Sequence, residues 1–380
     1  MDDTYVVNLS LTDQPDMNLF GVFHGVGGAE VAMFVRDNIT STLIELESFK
    51  EEQYEDALKE CFMLLDNKLK ESEVVRKKLL NYGQQEISKE NKYLQDQLPQ
   101  DITQNEKEQL SILKTIFDPR NLTDANIAMF SGTTACIVLI VRDYIYIANV
   151  GNSKCILFNI DNKEIKETKE HWPNNKDEKE RIEQAEGKVS EDNKINNTIG
   201  ISRLIGFLEY KQVDWLKQED QMVTAMPDVY TYNVKEFDYI VLATNGVWCW
   251  RNKNKIVENI ITWDNNEEVF SNKIKEIFEK VLIEQKESIN KKNVNNMTMI
   301  VVKLNEMYKK KKYEKRINNS SKIGKNKERK RKRSSIKKGI NEGDKKKKNE
   351  LEVKQDNNKN NELNLLGIQG EEEINTSSVP

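Results

Sequence analysis

The stretch Leu19-Phe20-Gly21-Val22-Phe23-His24-Gly25-Val26-Gly27-Gly28, followed by Ala29-Glu30-Val31-Ala32-Met33-Phe34-Val35, constrains the fold more than any other part of the chain. Its Val- and Phe-rich run is the pattern of a buried strand, its glycines permit a tight turn, and its apolar spacing then shifts to that of a helix. A glycine turn at a helix start can cradle phosphate. The spacing is neither the dinucleotide fingerprint nor a P-loop, because no Gly-Lys-Ser/Thr follows. Taken alone, the stretch is compatible with a plain strand-to-helix connection.

At 380 residues the chain holds either one large domain with a tail or two modest domains. Its 37% hydrophobic and 32% charged content fits a soluble protein whose core is diluted by polar segments. No run of about eighteen apolar residues occurs, so no membrane span is expected. Met1 leads straight into Asp2-Asp3 without a basic and then apolar leader, which argues against secretion. Cys61, Cys136, Cys155 and Cys249 lack Cys-x-x-Cys spacing and read as isolated thiols in a reducing compartment. The expected location is cytoplasmic and/or nuclear.

Three later stretches give the glycine turn its meaning. They are Phe130-Ser131-Gly132-Thr133-Thr134-Ala135 leading to Ala148-Asn149-Val150-Gly151-Asn152-Ser153-Lys154, then Leu242-Ala243-Thr244-Asn245-Gly246-Val247-Trp248, and last Asn295-Asn296-Met297-Thr298. In this order the set resembles the metal-dependent type 2C Ser/Thr protein phosphatases, whose motifs read FGVFDGHGG, SGSTA with VANVGDSR, LASDGLWD and DN(M/I)T. Ser202-Arg203-Leu204-Ile205-Gly206 with Tyr210-Lys211, Val223-Thr224-Ala225-Met226-Pro227-Asp228, and Arg181-Ile182 with Gly187-Lys188-Val189 are similar to further family segments. The resemblance covers residues 1–305. It implies an α+β fold, a four-layer α-β-β-α sandwich of two antiparallel sheets flanked by helices, with a disordered C-terminal tail.

The departures fall on the positions that the resemblance implies are metal ligands. His24 stands at the family's bridging Asp, Val26 at its proposed general-acid His, and Asn152, Asn245 and Asn295 at three further Asp positions. Phe207 and Cys249 replace two more, while Gly25, whose carbonyl faces a metal in the family, is kept. Asp2 and Asp3 match the acidic pair that acts mainly through metal-bound waters. In the family another strand and a phosphate-binding Arg precede that pair. Neither precedes it here, so the reading expects a sheet edge left open or covered by a partner, or a truncated start.

Two divalent cations about 4 Å apart repel by on the order of ten kcal/mol or more, so such a site must supply anionic oxygen. Asn keeps one acceptor of Asp and loses its charge, and hard cations hold to carboxylates. The expectation is an intact fold with no cofactor, and with Asp2, Asp3 and Gly25 as the residual contacts for Mg²⁺ or Mn²⁺ in a chain that retains activity. His24 is expected to hydrogen-bond to Asp2, Asp3 or the asparagines. His171, in Glu170-His171-Trp172-Pro173, reads as a structural loop residue.

Elsewhere, residues 29–72 read as two helices packed on a sheet, and 73–118 as a charged, partly helical insertion. Ala135–Val141 and Tyr144–Val150 form a hairpin pattern about Arg142-Asp143, and 297–304 a closing strand. The remainder, 306–380, is a low-complexity tail. Residues 309–348 carry 20 Lys and Arg against four acids, a net of +16, which leaves −20 for the rest of a chain of net charge −4. This basic block resembles nuclear-localisation signals and suits nucleic acid or an anionic surface, and phosphorylation at Ser334 or Ser335 would reduce its charge. Residues 349–380 are Asn- and Glu-rich, with an apolar patch at Leu363 to Ile368.

Two functions stay open on these grounds. One is a catalytically inactive phosphatase-like binding module that engages a phosphoprotein or signalling protein. The other is a weakly active Mg²⁺- or Mn²⁺-dependent protein Ser/Thr phosphatase.

Overall fold

A computed structural model describes residues 2–14, 16–82, 127–161, 163–249, 253–263, 270–287, 296–304 and 365–369. The basic block 309–348, residues 83–118 of the insertion and Asn295 therefore lie outside the described residues. Two antiparallel sheets form the centre. The first runs β1 (Asp3–Asn8), β2 (Met17–Val26), β3 (Gly132–Val141), β4 (Tyr144–Val150) and β8 (Asp228–Asn233), with β7 (Ile205–Gly206) paired to β3. The second runs β11 (Leu365–Gln369), β10 (Thr298–Lys303), β9 (Tyr239–Ala243), β5 (Lys154–Phe158) and β6 (Ile165–Glu167).

Side-chain alternation explains the layering. Phe20 and Val22 of β2, Cys136 and Val138 of β3, Ile240 and Leu242 of β9, and Ile300 and Val302 of β10 share one apolar cluster, which lies between the sheets. The opposite residues, Leu19 and Phe23, join a second cluster with α1 (Glu30–Glu45) and α2 (Tyr54–Glu71). Tyr239, Val241, Met299 and Val301 pack in a third with α5 (Lys253–Trp263) and α6 (Phe270–Glu287). Helix, sheet, sheet, helix is the order that these periodicities require. The expected sandwich and the Arg142-Asp143 hairpin are both present.

The two expected helices of residues 29–72 are found as α1 and α2, and residues 73–82 of the insertion are helical. Leu365–Gln369, within the apolar patch of the tail, pairs with β10 as an outer strand. A fourth apolar cluster, with Ile182, Ile199, Leu204, Phe207, Tyr210 and Val223, holds the long connection between β6 and β8. α3 (Lys176–Gln184) also lies in that connection.

Buried charge fixes the connection to the sheets. Glu178 of α3 has a fully buried side chain, accepts from Arg203 at 2.6 Å and Arg181 at 2.8 Å, and also accepts from the Ser202 hydroxyl. Burial opposes its ionisation, yet the two guanidiniums hold its carboxyl down at about 2. Asp66 of α2 meets Lys211 at 2.6 Å, with both side chains 3% exposed. The positions shared with the phosphatase motifs at Arg181, Ser202-Arg203 and Lys211 are thus framework contacts.

Candidate functional site

β2 ends in a turn that only glycine can make at two places. Gly27 has φ +74°, and a Cβ there would lie 2.2 Å from the Phe130 carbonyl oxygen; Gly28 has φ +141°. At Gly25 a Cβ would sit 2.4 Å from the Gly28 oxygen and 2.7 Å from that of Asp2, whose carbonyl accepts from Gly25 N–H at 2.8 Å. The turn is therefore cinched to the start of β1.

Because Phe20 and Val22 point between the sheets, His24 does too, at the end of the sandwich. Asp3 is its register partner on β1 and shares that face. His24 Nδ1 lies 2.6 Å from Asp3 Oδ1, and Thr244 Oγ1 donates to Asp3 Oδ2 at 2.7 Å. Thr244 follows β9, and its hydroxyl accepts from Thr298 N–H of β10 at 3.0 Å. A continuous chain of polar contacts, His24 to Asp3 to Thr244 to Thr298, thus closes the mouth between the two sheets. Asp3, whose side chain is fully buried, has a partner on each carboxylate oxygen.

The imidazole is drawn toward its charged form. Burial works against this, but the Asp3 hydrogen bond and the charges of Asp3 and Asp2 outweigh it, so its pKa stands above 6.5. A raised folded value means that the stabilisation is whole below pH 6.5 and is lost as pH rises through the folded pKa. The unfolding free energy, followed by urea titration, should therefore fall as pH is raised from 6.5, and His24→Gln should remove that fall. An equal slope in both proteins would show that His24 is not charged in the folded chain.

The other motif positions are placed as follows. Asn152 is buried, and its Oδ1 has no hydrogen-bond partner among the described residues. Its neighbour Ser153 meets Thr134 hydroxyl to hydroxyl at 2.7 Å, and Thr134 is the β3 residue opposite His24. Asn245 opens the short helix α4 (Asn245–Trp248), directly after Thr244, and its Oδ1 accepts from Cys249 Sγ at 3.0 Å. Gly246 packs against the Asn296 carbonyl, where a Cβ would lie 2.0 Å away. Val26 packs against the fourth apolar cluster, the one that contains Phe207, so two positions that are polar in the motifs are filled here by one apolar contact region.

His171 is fully buried, accepts from Gly151 N–H through Nδ1 at 3.1 Å, and has Nε2 3.2 Å from Asp228. Burial lowers its pKa, which suits a neutral framework residue. Among the described residues no cluster of three or more His, Cys, Asp or Glu side chains is arranged to hold a metal ion. Sequence reasoning found His24 and Asp3 but missed Thr244, Thr134 and Ser153. Their only signal is a hydroxyl at a strand end beside a motif residue, which is too common to single out.

Comparison with known proteins gives a consistent picture. A protein phosphatase 2C family model matches residues 72–296. A "Probable protein phosphatase 2C 6" of Paramecium tetraurelia is 32% identical over 65% of this chain and 70% of its own length. "Probable protein phosphatase 2C 5" of the same organism is 30% identical over 80% of this chain and 87% of its own. A solved serine-threonine phosphatase 2C from Toxoplasma gondii superposes with a TM-score of 0.53 at 16% identity, covering 79% of this chain and 89% of that one.

Proposed function

Because the chain belongs to the protein phosphatase 2C family, we propose that it is a catalytically inactive member that uses the fold as a binding or regulatory module in Ser/Thr phosphorylation signalling. The observation that supports this reading is the His24–Asp3–Thr244 chain. Both oxygens of the buried Asp3 are engaged inside the protein, one of them by the His24 imidazole. An imidazole where the family places a bridging carboxylate brings no anionic oxygen for Mg²⁺ or Mn²⁺ and engages the Asp3 carboxylate instead. Asn152, Asn245 and Asn295 carry no charge to make up that loss. With Val26 turned into an apolar cluster, no imidazole stands ready to protonate a leaving alkoxide.

A second reading, a weakly active Mg²⁺- or Mn²⁺-dependent protein Ser/Thr phosphatase, is favoured by the Asn152 oxygen. A buried acceptor without a partner is a place for a cation or a water. On that reading Asp2, Asp3, the Gly25 carbonyl and Asn152 would hold one ion, which would supply an activated water. Hydrolysis of a phosphothreonine peptide by the full chain at millimolar Mn²⁺ or Mg²⁺ separates the two. The first reading expects no turnover above the metal-only background; turnover that Asp3→Asn abolishes would establish the second.

The partner is expected to be a phosphoprotein or signalling protein, and the basic block 309–348 is expected to add contact with nucleic acid or an anionic surface. Location in the cytoplasm or nucleus is part of the same proposal. No helix among the described residues is long and apolar enough to cross a membrane.

A further inference from the structure

An edge strand leaves a row of backbone N–H and C=O groups unpaired and so invites another strand. In the second sheet that edge is β10, and Leu365–Gln369 closes it. The pairing is antiparallel and runs without a bulge from Thr298 opposite Gln369 to Val302 opposite Leu365. Helix α6 also lies against β11. Residues 366 and 368 stand opposite Val301 and Met299, the two β10 residues that face α5 and α6.

The strand is joined to β10 only through residues 305–364, sixty residues rich in Lys and Arg. A five-residue strand on such a tether is held by main-chain pairing and by high local concentration, not by continuity with the core. This is the arrangement of a peptide docked on a sheet edge.

We infer that the outer edge of β10 is a strand-docking site, occupied in cis by the chain's own Leu365–Gln369 and open to exchange for an extended apolar peptide. Docking ties residues 305–364, the segment that carries the basic block, into a closed loop. Release opens a sheet edge and frees the C-terminal end of that segment. The site meets the His24 cluster only at Thr298 and stands whether or not the chain hydrolyses phosphate.

Hydrogen exchange read by mass spectrometry tests this on the full chain, on the chain stopped after Asn364, and on the full chain carrying Leu366→Pro. Thr298 and Leu304 turn their backbone groups to β9, so the alternate residues Met299 and Val301 exchange hydrogen bonds with β11, and proline at 366, opposite Val301, removes a ladder donor. Peptides spanning 298–303 should exchange at least about tenfold faster in both altered chains, while those spanning 239–243 keep their protection and report an intact fold. A synthetic peptide of residues 363–370 added to the shortened chain should restore the slow exchange. Equal exchange of 298–303 in all three proteins overturns the proposal. Protection that appears only as protein concentration rises, with a dimer by sedimentation, also overturns it, because the occupant would then be the tail of a second copy.

Discussion

Replacing Asp66 by alanine is expected to lower the unfolding free energy by about 3–5 kcal/mol, the range for removing one partner of a buried ion pair. Asp66 Oδ1 accepts from Lys211 Nζ at 2.6 Å and from Gly206 N–H at 2.8 Å, and its Oδ2 accepts from Gln218 at 3.0 Å. Alanine would strand a buried ammonium whose pKa burial already lowers, the Asp66 charge notwithstanding. It would also free Gly206, whose φ of +85° lets β7 meet β3 beside the glycine turn. The double change Asp66→Leu with Lys211→Met removes both charges and should recover most of the loss, since apolar replacement of a whole buried pair is often neutral. Urea unfolding with an unchanged denaturant slope measures both effects. A loss below about 1 kcal/mol for Asp66→Ala would mean that water reaches Lys211 and that the pair is not a framework contact.

That pair shows where sequence reading stops. Tyr210-Lys211 is visible as a motif, but nothing local to Lys211 names Asp66 as its partner on α2, and the two meet only when the fold brings them together. The hairpin and the helices were legible, because two-residue alternation in Ala135–Val141 and Tyr144–Val150 and the helical spacing after Gly28 are local signals, while the sandwich they build was legible only through the motifs' resemblance to a known family. The neighbourhood of His24 was legible in part. Alternation and the position of the glycine turn put His24 and Asp3 at one end of the sheets, and the expected hydrogen bond between them is present. The role of Thr244 was not legible, because a threonine at a strand end is ordinary until register sets it beside a carboxylate. Nor was the apolar setting of Val26. A valine after glycine says nothing of which cluster it joins, and the cluster that holds Phe207 comes from a segment about 180 residues on. The tail strand was legible only as an apolar patch, since edge pairing is set by an open partner strand and not by the pairing segment's own sequence.

The largest change expected at the site comes from returning its charge. A chain carrying His24→Asp, Val26→His, Asn152→Asp, Asn245→Asp and Asn295→Asp would replace one imidazole and three neutral amides by four carboxylates. It would also free Asp3 from its imidazole partner. Hard divalent cations bind in proportion to such anionic oxygen, so the variant should take up Mn²⁺ with a dissociation constant below about 1 mM, about −4 kcal/mol of binding free energy. His24→Asp should contribute most, since it adds an attractive charge and frees Asp3 at a single position.

Calorimetric titration of Mn²⁺ and Mg²⁺ into the natural full chain, beside that five-fold variant, is the most direct test of the proposal that this fold has exchanged its metal site for an internal ion pair. The proposal predicts no saturable heat from the natural chain at millimolar metal and saturable binding by the variant. Saturable binding by the natural chain, lost on Asp3→Asn, would contradict it.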